Sequence, residues 1–258
     1  MARFIAALWC CFVLHGAAAA TATIASASNF RMAMDELTVL FTQRYPYQLR
    51  HSYASSGVLF NQISHGAPFD VFLSADSHYP ITLADNGMAV AESRFTYAEG
   101  KLVLVSSKPL TGGTVVDRGT ITAALNAVFG NGGKVAIANP DIAPYGIAAK
   151  QALSYLELWR NNQSKLVRAT NVGQSFQFVA TGNAAIGFAA LSQLQRPQHK
   201  AIAALHYWPI PGHWYQPIRQ QAILLQSAGN NPAAIAFMDF LTTDDAKAVI
   251  QRHGYATP

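Results

Sequence analysis

The chain has 258 residues, 51% of them hydrophobic and 12% charged, with a formal net charge of +5. This composition excludes a disordered polymer, and without a dense Lys/Arg cluster the chain lacks the basic stripe of a nucleic-acid binder, so no nucleic-acid partner is expected. A mild attraction for anions is all that the charge supports.

The chain opens with "MARFIAALWCCFVLHGAAAA", a basic start at Arg3, an apolar run from Phe4 to Leu14 and an alanine tract. That run is shorter than the ~20 apolar residues of a membrane-spanning helix. Residues 1–20 therefore read as a secretory signal peptide, cut somewhere around Ala18 to Ala22. Both cysteines, Cys10 and Cys11, lie inside it, so the exported chain carries neither a disulfide nor a thiolate metal ligand. "ALWCC" sits in the middle of the apolar run behind Trp9, which is not a lipoprotein context, and a soluble product without lipid is expected.

Beyond the signal, strand-like and helical runs alternate. "ATIASA" reads as a strand, "FRMAMDELTVLFTQRY" as a helix, "YQLRHSYA" as a strand and "GVLFNQISHG" as a helix stopped by Gly66. "FDVFLSA" is a buried strand, "YPITLADNG" a short helix and "KLVLVSS" another buried strand. Further on, "KVAIAN", "KLVRATN" and "AAIGFAAL" read as strands around helices at "YGIAAKQALSYLELW" and "GQSFQFVATG". A strand "QQAILLQ" and a helical pair "NPAAIAFMDFLTTDDAKAVIQRHGY" close the chain.

This is the grammar of an α/β protein with largely parallel sheets. More than ten elements strain a single sheet, which favours two lobes, each a mostly parallel sheet flanked by helices, over one. The division expected is 21–105 plus 217–258 for lobe 1 and 106–216 for lobe 2, the chain crossing out after "KLVLVSS" and returning near "QQAILLQ". A ligand would sit between the lobes, outside the carboxyl ends of the strands.

Four strand-to-helix turns share one chemistry: Ser28 and Asn29; Ser55, Ser56 and Gly57; Pro144, Tyr145 and Gly146; Asn171, Val172 and Gly173. Each offers first-turn N–H groups and the positive end of a helix dipole. Taken singly, each is equally a structural cap, because Ser, Asn and Gly favour helix N-termini. Taken together, two from each lobe, they describe an anion site of neutral donors. Such a site favours a fully deprotonated oxyanion, since a ligand that keeps a proton needs a carboxylate to accept it. The only acid in these turns is Asp141, either a lead-in residue or, turned inward, an acceptor for phosphate.

Several stretches in order, "ASNF", "SSG....QI..GAP.DVF.SAD" (Ser55 to Asp76), "SRFTYAEGKLVL", "ANPDIAPYG", "NVGQ" and "QQAIL", resemble the periplasmic molybdate-binding proteins of ABC transporters across essentially the whole exported chain. The resemblance implies a two-lobed, periplasmic binding protein-like (type II) fold that closes on molybdate, with tungstate as a close mimic. It also implies delivery to a membrane permease, a periplasmic location, a monomer, no cofactor and no catalysis. Carried over by position, it gives Ser28, Asn29 and Ser56 as oxyanion donors, with Ser55 a neighbour of Ser56, and Tyr145 and Val172 as residues that present main-chain N–H groups. Some members supply a tyrosine hydroxyl from the strand after "NVGQ"; here that strand has Phe188 and Ala189, and Asn29 is the candidate to complete the contacts.

Other residues read as structural. The seven histidines beyond the signal lie in separate elements without helical zinc spacing. Asp70 and Asp76 flank "VFLSA" as loop or cap residues rather than acid/base machinery. The aromatic run "HYWPIPGHWYQP" packs where the chain returns between lobes rather than stacking on a sugar or base. Two alternatives remain open: a carrier for another oxyanion such as sulfate or phosphate, and a periplasmic hydrolase.

Overall fold

The computed structural model describes residues 19–109, 117–195 and 204–258. The signal segment lies outside them as far as residue 18. In chain order come β1 (Thr21–Ala27), a 3-10 turn (Ser28–Phe30) running into α1 (Arg31–Arg44), β2 (Gln48–Ala54), α2 (Ser56–Ser64), β3 (Val71–Ser74), α3 (His78–Asp85), β4 (Phe95–Gly100) and β5 (Leu102–Ser106). Then follow α4 (Arg118–Gly130), β6 (Val135–Ala138), α5 (Pro144–Tyr155), β7 (Leu166–Ala169), α6 (Val172–Ala180), β8 (Ile186–Ala190), β9 (His206–Pro209), β10 (Ile218–Leu224), α7 (Pro232–Leu241) and α8 (Asp244–Arg252).

The strands make two five-stranded sheets, ordered β2-β1-β3-β10-β4 and β7-β6-β8-β5-β9. In each, four strands share one direction and the fourth in order runs against them: β10 is antiparallel to β3 and β4, and β5 is antiparallel to β8 and β9. The two lobes are therefore as the alternation suggests, but the sheets are mixed. The reason is the crossing: the fourth strand of each sheet enters from the other lobe and meets β3 or β8 head to tail.

The crossing also falls earlier than the sequence places it. "KLVLVSS" is β5, which pairs with Ile186–Ala190 on one side and His206–Pro209 on the other. The chain thus leaves the first sheet at Gly100 and Lys101, ahead of this strand. Its matching slot in the first sheet, beside β3, is filled by β10.

Both sheets are covered on both faces, which is why β3, β5, β6 and β8 read as short apolar runs. Alternation divides β3 between two cores: Val71 and Leu73 pack with Met34, Leu37, Phe41, Phe237 and Phe240, while Phe72 packs with Leu59, Ile63 and Leu83. In β5, Leu102 and Leu104 join Ile121, Leu125 and Leu153, and Val103 and Val105 join Phe176 and Val179. Along α1 the buried positions are Ala33, Met34, Leu37 and Phe41, one stripe at helical spacing. α2 ends where Gly66 takes φ +83°, a conformation glycine adopts without steric cost. Of the aromatic run, Trp208 and Trp214 are buried in the core of the second lobe rather than between the lobes, Trp214 stacking on Tyr155, while Tyr207 is exposed.

Candidate functional site

Ser28 and Asn29 follow β1, Ser55 and Ser56 follow β2, Pro144 and Tyr145 lie in the turn after β6, and Val172 follows β7. All of them, with Ala27, Ala54, Ala75 and Ala143, line one cavity of about 10 Å3 between the lobes. The five residues nominated by the sequence, Ser28, Asn29, Ser56, Tyr145 and Val172, are thus brought together on its wall. A space that admits about one water-sized sphere excludes a sugar or peptide.

Helix starts differ in capping, and α3, away from the cavity, has no N-cap side-chain bond. Away from the cavity, α4, α7 and α8 begin with side-chain caps, from Asp117 to the Thr120 N–H, Asn231 to Ala233 and Thr243 to Ala246. At the cavity, neither the 3-10 turn before α1, nor α2, nor α5 has a side-chain cap. Only α6 does, where Asn171 Oδ1 accepts from Gln174 N at 3.0 Å, which leaves the N–H groups of Val172 and Gly173 ahead of it. Structural capping therefore accounts for Asn171 and not for the serines.

The serines differ from each other. Ser56 is fully buried and its Oγ accepts the Ala75 N–H at 2.9 Å, so its own O–H is left to donate. Ser55 Oγ is buried without a hydrogen-bond partner on the same wall. The resemblance nominated Ser56 and placed Ser55 beside it; the unpartnered hydroxyl gives Ser55 equal standing as a donor.

Asn29 is placed differently from the sequence expectation. Its Nδ2 donates to Gln220 Oε1 at 2.8 Å and to Tyr255 OH at 2.9 Å. With both amide hydrogens committed, the carboxamide does not complete a contact set in the cavity, and Asn29 offers its main-chain N–H instead. Tyr145 likewise sends its phenol away from the cavity into the core, where Gln220 Nε2 donates to its hydroxyl at 3.4 Å.

No residue on the cavity wall is charged. Asp141 faces outward: its side chain is 73% exposed and lies 3.8 Å from Arg168 Nη1. Asp70 staples the first lobe, accepting from Thr23 N at 2.6 Å and Asn231 Nδ2 at 3.1 Å. Asp76 leads into α3, its Oδ1 accepting from Tyr79 N at 3.2 Å and Ser74 Oγ at 3.0 Å. Among the described residues no three His, Cys, Asp or Glu side chains gather as a metal site.

Burial pushes the Asp76 carboxyl above its ordinary value, against the lowering effect of those two hydrogen bonds. The folded protein then holds this proton more tightly than the unfolded chain does. That advantage is complete below the unfolded pKa and is lost as pH rises through the folded one. Asp76→Asn keeps an acceptor for Tyr79 and removes the buried charge. It is expected to melt above the wild type at neutral pH, with the gap closing as pH falls; thermal melts across pH measure this, and a gap that widens in acid refutes it.

Beside the cavity and sharing Ser28 and Asn29 with it, a wider groove of about 410 Å3 opens between the lobes, with Arg31 and Tyr53 on one side and Thr170 and Gln174 on the other. Arg31 lies 3.9 Å over the Tyr53 ring. Opposite, the lobes touch: Gly57 N donates to Ile142 O at 2.9 Å. A Cβ on Gly57 would stand 2.8 Å from that oxygen and 2.6 Å from Tyr79 OH, so the approach requires glycine.

A family model described as bacterial extracellular solute-binding protein matches residues 22–256. The chain is 41% identical over 255 residues to the molybdate-binding protein ModA of Azotobacter vinelandii, covering 99% of this chain and 97% of that one. It is 39% identical over 241 residues to the molybdate-binding protein ModA of Rhodobacter capsulatus, covering 93% and 90%. The solved Azotobacter vinelandii periplasmic molybdate-binding protein superposes with a TM-score of 0.81 at 38% identity, over 92% of this chain and 99% of that one.

Proposed function

We propose that this chain, which belongs to the family of bacterial extracellular solute-binding proteins, captures molybdate, with tungstate as a close mimic, between its two lobes and delivers it to the membrane permease of an ABC transporter. The observation that carries this reading is the cavity wall: turns from both lobes meet there, and every side chain on it is neutral. The relatives named for molybdate binding support the choice of ligand.

The donors are the Ser28, Ser55 and Ser56 hydroxyls and the first-turn N–H groups of Asn29, Tyr145 and Val172. A hydrogen bond to a charged acceptor contributes about 1.5–3 kcal/mol, and each helix terminus adds about 0.3–1 kcal/mol. Several together offset the cost of drying a dianion without any counter-charge. With Asp141 turned to solvent, no carboxylate on the cavity wall accepts a hydrogen bond from a protonated ligand, which disfavours hydrogen phosphate. Sulfate meets the same donors, so its affinity relative to molybdate is the measurement that decides the specificity. Closure then brings α5 and α6 onto an anion already held by α1 and α2, so the ligand selects the closed arrangement.

The protein works without a cofactor or a chemical step, as a monomer exported to the periplasm and free of lipid. Thr21, the first residue of β1, already pairs with Gln48 of β2, so a cut that spares the strand falls ahead of it. Protein from the exported fraction, whose intact mass reads the cut, is titrated calorimetrically with molybdate, tungstate, sulfate and phosphate. Molybdate and tungstate are expected to bind with Kd on the order of micromolar or tighter and to raise the melting temperature. Sulfate binding as tightly as molybdate would overturn the assigned specificity.

A further inference from the structure

We propose that Gln220 is the positioning residue of the oxyanion site, holding the first lobe's Asn29 and the second lobe's Tyr145 in register so that their main-chain N–H groups meet on one ligand. This rests on the reading of the cavity as the oxyanion site.

Gln220 lies on β10 and is fully buried. Its Oε1 accepts from Asn29 Nδ2 at 2.8 Å and from Tyr97 OH at 3.1 Å, and its Nε2 donates to Tyr145 OH at 3.4 Å. Asn29 belongs to the turn after β1, and Tyr145 to the start of α5 in the other lobe. One carboxamide thus joins two turns that face the cavity from opposite sides. A glutamine suits this place because it accepts at one end and donates at the other; a carboxylate or a hydrocarbon of the same size does not do both.

The rest of the surroundings removes alternatives for Asn29. Tyr255 OH donates to Asn29 O at 2.8 Å, and Ser192 Oγ, from the second lobe, donates to the same oxygen at 3.0 Å. The carboxamide and the carbonyl of Asn29 are therefore both engaged on the side away from the ligand. Burial pushes the phenols of Tyr97, Tyr145 and Tyr255 upward, which keeps them neutral.

Gly100 supplies an independent sign that the join is built in. It ends β4 where the chain crosses between lobes, and a Cβ there would collide with the Tyr145 hydroxyl and stand 2.7 Å from Gln220 Nε2. The crossing is kept bare at the point where the second lobe's phenol meets the first lobe's amide.

A residue that stabilises the closed pair of lobes acts after the anion has arrived, so its loss appears in dissociation rather than association. The test compares wild type, Gln220→Met, Tyr145→Phe and the double variant by stopped-flow tryptophan fluorescence with molybdate. Each single variant is expected to raise the dissociation rate by about tenfold while association stays within about twofold. The double variant is expected to be no worse than the more affected single, because both remove one join. Unchanged dissociation, effects that multiply, or a loss carried by association overturns the role of Gln220 while wild-type binding stands. If Gln220→Met does not fold, Tyr145→Phe, which removes one hydroxyl, decides by the same split in rates. A wild type that binds neither molybdate nor tungstate removes the oxyanion site and the positioning role together.

Discussion

Gly57→Ala is expected to lower molybdate affinity at least about a hundredfold, because the closed arrangement that the ligand selects becomes sterically blocked. The Cβ would stand 2.8 Å from Ile142 O and 3.0 Å from Ile142 Cα, both backbone atoms of the other lobe. The nearest atom of its own lobe is the Tyr79 hydroxyl at 2.6 Å, the end of a half-buried side chain that can move. Alanine also suits the first turn of α2 better than glycine, by up to about 1 kcal/mol, so the ligand-free protein should melt no lower than wild type. Calorimetry reads the affinity, and small-angle scattering with and without molybdate reads the closure. Wild-type affinity in Gly57→Ala would mean that the Gly57–Ile142 contact is not part of the liganded arrangement.

Ser56→Ala is expected to weaken molybdate binding by about 1.5–3 kcal/mol, roughly one to two powers of ten in Kd. The hydroxyl is one of the few side-chain donors on a wall otherwise made of alanines, proline, valine and main chain. The same substitution is expected to lower the stability of the ligand-free protein by about 1–3 kcal/mol, since the buried Ala75 N–H loses its acceptor. The two effects separate by measurement: denaturant unfolding without ligand gives the second, and titration of the folded variant gives the first. Lower stability with unchanged affinity would restrict Ser56 to holding the β3–α3 turn and shift the donor role to Ser55.

Much of this molecule is legible in its sequence because the informative signals are local. Strands β3, β5, β6 and β8 are buried on both faces and announce themselves as apolar runs. The cavity-facing turns announce themselves by Ser, Asn and Gly at helix starts, and the structure brings all five nominated residues to one wall. Three elements carry weaker signals. β4 (Phe95–Gly100) is an edge strand that mixes Thr96 and Glu99 with apolar residues. β9 (His206–Pro209), the other lobe's edge, is short and ends on proline. α4 has a sound cap in Asp117, but Gly119 and the β-branched Thr120, Ile121 and Thr122 blur its helical period.

What the sequence hides is long-range. Gln220 and Asn29 are 191 positions apart, and nothing in either neighbourhood announces that one carboxamide faces the other. The lobe to which β5 belongs is hidden for the same reason: an apolar strand carries no mark of which sheet will accept it. Strand partners are fixed by which slot remains once β10 has inserted beside β3.

That insertion also orders events in time. The second sheet draws on one continuous stretch, from β5 to β9, whereas the first cannot close until β10, whose Gln221 pairs with Ser74 far back in the chain, has come through. Contacts across such a separation form slowly, so in vectorial export the second sheet is expected to be native while β1, β2 and β3 still wait for β10. Because Gln220 arrives on that same late strand, the ability to retain an oxyanion is the last property the chain acquires. Ligand retention in a refolding time course would then lag the appearance of secondary structure and report completion of the whole chain.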